Sequence, residues 1–509
     1  MKPHLRTLLL VPALAASGLV PLPAASAAPR PARQQLQGGA RPAIRRITLV
    51  AEPGRLTIRP GQTIPVWTYN GGVPGPEIVV HQGDRVIVAL VNRLPEATTI
   101  HWHGLLAPNS NDGVAGVTQD AVLPGRTYTY SFVAGTPGTY WYHPHQKSDE
   151  QEGKGLYGAL VVLPRQVPSR PALDRTLMLG EWPLPAPGAR GTGGMGGDQH
   201  LGTQARLRPY LADTGMGTYQ TFTVNGRAYP YTAPIGGPSG APVRLRVINA
   251  GNLTHILDLH GLPYRLVATD GSPVNQPPPT TALLPIAAGQ RLDIAFAMPA
   301  GSRSLRDASG LAGAGEMRVP IGQGARSGQA DAVAESHTAD PPILDLARYG
   351  RPAPARFGAA SRFDRVFRLV LGQKGAAPMA GMAGMGATYT INGAAFPRTA
   401  PLVVRAGQRV ELVLASTSRD AHPMHLHGHR FQVLVLNGER VAGSPLYMDT
   451  VMVLPGRTTV VAFVADNPGI WALHCHELHH AAAGLVTLVR YQGVQQRFAP
   501  GGPSGNVPE

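Results

Sequence analysis

The chain has one cysteine, Cys475, set in the stretch LHCHELHHAAAGL (Leu473 to Leu485) between His474 and His476, with His479 and His480 following at once. A lone cysteine closes no disulfide within its own chain, so it is a buried spectator, a reactive thiol or a metal ligand. Its neighbours favour the last. On an extended strand side chains alternate between faces, so His474 and His476 point one way and Cys475 the other. Two metal sites can then share three consecutive residues. A thiolate joined by imidazoles, with a weak axial position, is the ligand set of a blue copper site. His480 reaches the cysteine's side if the chain turns after His476.

The partners such a site requires are present. HPMHLHGH supplies His422, His425 and His427, HWHG supplies His101 and His103, and YWYHPHQ supplies His143 and His145. Each His-x-His pair sets both rings on one face of an extended segment, where they can converge on neighbouring ions. One such pair is ordinary. Four pairs, with His422 apart and a cysteine between two histidines, ask for a cluster of metal ions beside the thiolate.

Taken together, the four motifs resemble those of the multicopper oxidases, of the three-domain laccase-like and copper-tolerance type. The resemblance covers essentially the whole chain after its first residues. It implies four copper ions. His422, Cys475 and His480 match the type 1 ligands, and His101 and His425 the type 2 ligands. The two type 3 ions correspond to His103, His143 and His476, and to His145, His427 and His474. His429 and His479 match no ligand position and read as surface or supporting residues. Leu485, ten residues after Cys475, stands at the axial position of type 1 copper, where many bacterial members have methionine. Met448 and Met452 are the alternative axial donors.

The resemblance also implies an activity. A small reducing substrate gives single electrons to type 1 copper near the surface, with His480 and His422 on the exit side. Cys475, His474 and His476 carry them on, and O2 is reduced to water. Phenols, aromatic amines and Cu(I) are the donors to weigh. A laccase-like oxidase of phenols is the first reading. The run PMAGMAGMG, with Met379, Met382 and Met385, and Met195 in GMGG offer soft thioethers suited to Cu(I), so a cuprous oxidase for copper tolerance is the second. A non-catalytic copper-binding cupredoxin protein is the alternative of another class, and the complete ligand set argues against it. Asp112 in NSNDGVAG matches an acidic family position and is the candidate proton relay, or else a plain Asp-Gly turn. Ala481 stands where many bacterial relatives have a second acid.

The elements that must position these residues are strands. Gly 62 and Pro 50 are high, charged residues are few at 15%, and helical periodicity is scarce, which favours short strands and turns. VPGPEIVVHQGDRVIVALVNRL (Val73 to Leu94) has a counterpart in APLVVRAGQRVELVLASTS (Ala400 to Ser418), and VLPGRTYTYSF in VLPGRTTVVAF. PVRLRVINAGNLTHILDLHG and LLPIAAGQRLDIAF form a degenerate middle copy whose His255 and His260 read as structural. The expected fold is all-β, three cupredoxin-like Greek-key β-sandwiches at 43–163, 173–321 and 363–491. A connector spans 322–360, and 492–509 is expected to be a disordered tail. The clustered histidines belong to the first and third sandwiches, so the middle one reads as a spacer.

Residues 1–27 have the charged start, apolar run and Ala25–Ala27 small-residue site of a cleaved signal peptide, which implies periplasmic or secreted protein. No later segment approaches the roughly 20 apolar residues of a membrane span. The formal charge of +15 is carried by scattered arginines, a solvated basic surface rather than a nucleic-acid site. A monomer is expected.

Overall fold

In the computed structural model, which describes residues 41–166, 171–184, 201–211, 219–328, 341–375 and 387–509, strands dominate and helices are short. Residues 1–27, expected to be a signal peptide, and the four methionines Met195, Met379, Met382 and Met385 lie outside the described residues. Among those described, no helix is long and apolar enough to cross a membrane.

The fold is three cupredoxin-like β-sandwiches, and the repeated sequence blocks explain it. In each sandwich the opening strand runs parallel to a later strand of alternating apolar residues. Ile44–Arg59 pairs with Arg85–Asn92, Leu173–Trp182 with Pro242–Asn249, and Arg365–Lys374 with Arg409–Ser416. The strand Arg85–Asn92 shows why: Val86, Val88 and Leu90 are fully buried while Arg85 faces solvent. That is the half-buried pattern of a sandwich sheet.

The second sheets differ in a way that matters for the site. In the first sandwich Ile78–His81, Gly158–Leu163, Gly138–His143 and His101–His103 lie side by side in that order. In the third, Leu402–Val404, Val486–Tyr491, Ile470–Cys475, His422–Leu426 and Thr450–Val453 do the same. In both, a parallel pair closes one side, Ile78–His81 with Gly158–Leu163 and Leu402–Val404 with Val486–Tyr491. The histidine motifs occupy the strands beyond it: Gly138–His143 and the edge strand His101–His103 in the first sandwich, Ile470–Cys475 and His422–Leu426 in the third. Among the described residues, the strands of the middle sandwich's second sheet pair only antiparallel.

The chain beyond Tyr491 corrects an expectation. It is ordered against the first sandwich rather than disordered: Asn506 is buried, its side-chain oxygen accepts Ala121 N–H at 2.9 Å, and Gln146 bonds both Gly505 O and Val507 N. Its polar, Gly-rich composition gives no core of its own, but its backbone and one amide satisfy groups of a neighbouring domain. Part of the connector packs in the same manner, with Tyr349 donating to Pro278 O and accepting from Leu266 N.

Candidate metal centres

The strand His422–Leu426 pairs antiparallel with Ile470–Cys475, placing His425 opposite His474 and Met424 opposite Cys475. In the first sandwich His101–His103 pairs with Gly138–His143, placing His101 opposite His143. The period of two therefore sends His474 and His476 toward the first sandwich and Cys475 into the core of the third. All eleven residues singled out from the motifs fall into two buried groups.

The first group is a triangle. His422 Nδ1 and His480 Nδ1 lie 3.7 and 3.6 Å from Cys475 Sγ and 3.2 Å from each other. The helix Leu478–Ala482 supplies the turn that brings His480 back, and the Glu477 side chain caps it by accepting His480 N–H. All three residues are fully buried; a partly exposed group nearby is His479, whose side chain is 34% exposed. Leu485 is fully buried in the same core as Cys475, and its backbone binds both Cys475 N and His480 O. Met452 belongs to a separate apolar cluster.

The second group holds eight histidines between the first and third sandwiches. Three sets, the first two sharing His103, have ligand atoms within 4.8 Å of one another: His101, His103 and His425; His103, His143 and His476; His145, His427 and His474. His427 Nε2 and His474 Nε2 are only 3.0 Å apart. Burial, then neighbouring imidazoles, hold His143, His145, His427 and His476 well below the usual histidine range, and His474 is pushed down to about 3 by burial first. These rings are therefore neutral and offer lone pairs.

Whether the donors fit copper can be tested on the nitrogens left over. His101 Nε2, His143 Nε2, His145 Nδ1, His425 Nε2 and both nitrogens of His476 are buried without a hydrogen-bond partner. Leaving so many polar atoms unpaired in a core costs about 1–3 kcal/mol each, unless something else binds them. Neutral imidazoles beside one thiolate are a donor set suited to copper. The opposite ring nitrogens are held, as metal ligands usually are. His101 Nδ1 bonds Asp112 O at 2.7 Å, His425 Nδ1 bonds Asp449 O at 2.9 Å, and His474 Nδ1 bonds Cys475 O at 2.9 Å. Asp112 also sets its carboxylate 3.0 Å from His427 Nδ1, while Gly113 takes φ +84°. It is thus both an Asp-Gly turn and a support for two rings.

Several supporting residues carry no motif. Asp449 Oδ1 lies 3.2 Å from His103 Nε2 and is clamped by Arg291, whose Nη1 and Nη2 each lie 2.6 Å from one carboxylate oxygen. Burial alone would raise the Asp449 carboxyl, but the guanidinium holds it well below its ordinary value. Arg291 is fully buried and also donates to Thr139 O of the first sandwich, at 3.2 Å. Asp270 accepts from the backbone of Asp449, Thr450 and Arg291. Arg291 and Asp270 belong to the middle sandwich, which therefore corrects the spacer expectation: it reaches the cluster and ties the other two together. Gly104 of HWHG has φ +80°, and a Cβ there would collide with Arg291 Nη2 and Asp449 Oδ2. Glu152, buried, sets Oε2 2.9 Å from His143 Nδ1, whose N–H is directed at Pro144 O.

The histidines without a ligand match have other work. His429 is buried and bonds His427 O and Tyr491 OH. His255 is locked between Glu181 and Asp307, at 2.8 and 2.9 Å, as a structural residue would be.

Multicopper oxidase family profiles match residues 51–167, 198–303 and 373–493. The chain is 31% identical to multicopper oxidase MmcO of Mycobacterium tuberculosis, over 87% of this chain and 86% of the relative. It is 27% identical to copper resistance protein A of Escherichia coli, over 84% and 89% respectively. The crystal structure of a multicopper oxidase from Pseudomonas thermotolerans superposes with a TM-score of 0.65 at 28% identity, covering 89% of this chain and all of that one. With buried histidine clusters suited to copper and this agreement across its length, the chain belongs to the multicopper oxidase family, oxidoreductases that take electrons from a reducing substrate and pass them to O2.

Proposed function

We propose that the protein is a laccase-like oxidase of phenolic donors that holds four copper ions, with sandwiches at 43–163 and 363–491 supplying every ligand. His422, Cys475 and His480 hold type 1 copper. His101 and His425 hold type 2, and the two type 3 ions take His103, His143 and His476, and His145, His427 and His474. Copper supplies single-electron acceptance at the first centre and four-electron reduction of O2 to water at the second.

The chain's own residues do the rest. Cys475 ends the strand that carries His474, and His476 follows it directly, so the two centres are joined by covalent bonds through three consecutive residues. That connection is the observation that carries the reading, since a copper carrier has no need of it. Asp112 and Asp449 fix the rings, and Asp112 is the carboxylate we assign to proton delivery, given its contact with His427. All eight histidines of the cluster are buried, which keeps their rings from bulk water. We further propose that residues 1–27 export the chain to the periplasm or beyond and that it acts as a monomer.

Oxygen uptake by copper-loaded protein, offered 2,6-dimethoxyphenol and Cu(I) in parallel, tests this, together with a count of copper per chain. Uptake with the phenol and four ions per chain is expected. The second reading, a cuprous oxidase, rests on the thioethers of PMAGMAGMG. Replacing Met379, Met382 and Met385 together would then impair Cu(I) oxidation far more than phenol oxidation.

A further inference from the structure

Trp102 stands between His101 and His103 on their short strand, so alternation turns its indole away from the histidine cluster and into the core of the first sandwich. Three consecutive residues thus join the cluster to an oxidisable ring, much as His474, Cys475 and His476 join it to a thiolate. Among the described residues Trp102 Nε1 is buried without a hydrogen-bond partner, so nothing stands ready to take its proton. An indole can give up an electron and keep that proton, whereas a phenol gives up both.

The ring contacts continue outward. Trp102 meets Tyr130 with centroids 5.6 Å apart, and Tyr130 meets Tyr128 at 4.8 Å. Both tyrosines lie on the strand Thr127–Val133, where the period of two puts them on one face. Tyr130 is fully buried; its hydroxyl accepts Ile100 N–H at 2.8 Å, and burial pushes its ionisation well above the ordinary range, so it keeps its proton. Tyr128 is half-buried, and its hydroxyl donates to Ser110 O at 3.4 Å in a contact open to solvent. A second branch runs from Trp102 to Tyr142 and Tyr69, at 5.9 and 5.4 Å, but it ends in the core, because Tyr69 is fully buried. The Tyr128 branch reaches water.

We propose that Trp102, Tyr130 and Tyr128 form a relay that carries an electron from the surface to the histidine cluster when the reducing substrate supplies fewer electrons than O2 demands. The inference rests on the oxidase reading and adds a protective function to it. Tyr128 loses one electron and releases its hydroxyl proton to solvent, becoming a neutral phenoxyl. The electron passes through the Tyr130 and Trp102 rings to the cluster, which gains it and so completes the reduction of O2. A phenolic donor then returns one electron and one proton to Tyr128 and is itself oxidised to a phenoxyl. Without the relay the missing electron is drawn from groups beside the cluster, where a donor in solution cannot repair the damage.

The test begins from copper-loaded full-length Cys475→Ser protein, whose reduced cluster of three ions holds one electron fewer than the four that O2 requires. It is reduced anaerobically, mixed with O2, freeze-quenched and read by electron paramagnetic resonance, with and without ring-deuterated tyrosine. A tyrosyl radical, identified by its narrowing on deuteration, is expected, and adding Tyr128→Phe should abolish it. With Cys475 intact, Tyr128→Phe conserves the ring packing and should leave the blue band, copper content and oxygen uptake with 2,6-dimethoxyphenol as in the parent. That variant should nevertheless lose activity in fewer cycles when exposed to O2 with too little donor. A radical that survives Tyr128→Phe undiminished, the absence of a radical although the cluster holds copper and consumes O2, or equal lifetimes of parent and variant overturns the inference. If the parent never turns blue or takes up no oxygen with the phenol, the oxidase reading falls and the relay with it, a failure that these two measurements tell apart from the others.

Discussion

The sulfur-centred triangle is assembled by one domain, from two neighbouring strands and a short helix, whereas the histidine cluster needs two domains for its rings and a third to hold them. His422, Cys475 and His480 sit within a single sheet and its next turn. The cluster's rings come from the first and third sandwiches, and Arg291 of the middle one clamps Asp449 behind His103 and His425. A site made of adjacent strands is positioned by backbone hydrogen bonds. A site made between domains has no such ladder, so buried charges take over: Arg291 with Asp449 and Asp270, all fully buried. Such pairs specify one arrangement but do so at a desolvation cost, and removing one partner leaves the others stranded.

The largest expected effect tests the independence of the two regions. Under the proposed type 1 assignment, Cys475→Ser removes the thiolate that serves as both chromophore and electron conduit. The blue band and donor oxidation should vanish, while the fold and the metal content of the histidine cluster persist. Absorption spectra, copper analysis and oxygen uptake check this. Normal turnover in the serine variant would sink the oxidase reading.

Arg291→Met is the converse experiment. It leaves the Asp449 and Asp270 carboxylates buried without their cation, which costs about 3–5 kcal/mol. Copper of the cluster should be depleted, seen as loss of the type 2 resonance in electron paramagnetic spectra, while folded molecules retain the blue band. If the cluster's copper and the unfolding midpoint both survive, the middle domain is a spacer after all.

Gly104→Ala probes the same clamp more gently. At φ +80° a side chain is strained, and its Cβ would collide with the guanidinium and with Asp449. A destabilisation of about 1–3 kcal/mol is expected, with altered type 2 signals and an unaltered blue band. Urea unfolding and the two spectra together read it. Equal disturbance of both centres would show that they are not separately supported.

The same contrast decides how much of the molecule could be read from its residues. The motifs are local, and strand alternation suffices to say which rings share a face, so the structure gathers all eleven residues into two groups as their spacing suggests. Repeated blocks such as GDRVIVALV and GQRVELVLA carry the sandwich pattern for the same reason. Arg291 has no such signature. The arginines that follow the glycine in the other two repeats, Arg126 and Arg457, are exposed, and nothing adjacent in sequence distinguishes the one that is buried. Its partners lie 158 and 21 positions away. Asp449 and Glu152 are hidden in the same manner, because charge compensation acts through space. Glu477 had a legible trace, an acid three residues before His480 at a helix start. The ordered segment after Tyr491 was missed because low apolar content reports the absence of a core, not the presence of acceptors on a neighbouring domain.

The smallest expected effect falls within the triangle and concerns Leu485, which is fully buried in the core that holds Cys475. Its backbone binds Cys475 N and His480 O at 3.1 and 2.9 Å, so its position is fixed by the same turn that returns His480. An aliphatic side chain there donates nothing to copper and excludes water, which favours the reduced ion and a high potential. A thioether would donate weakly and favour the oxidised ion. Leu485→Met conserves volume and should cost less than about 1.5 kcal/mol, leaving the blue colour in place while the type 1 potential falls. Because the histidine cluster is supported separately, its type 2 signal should not move. Redox titration of parent and variant decides the matter. A potential that stays level or rises would mean that Leu485 does not face the copper, and the sulfur of Met448 would then be the residue to examine, since it shares that core whereas Met452 lies in another.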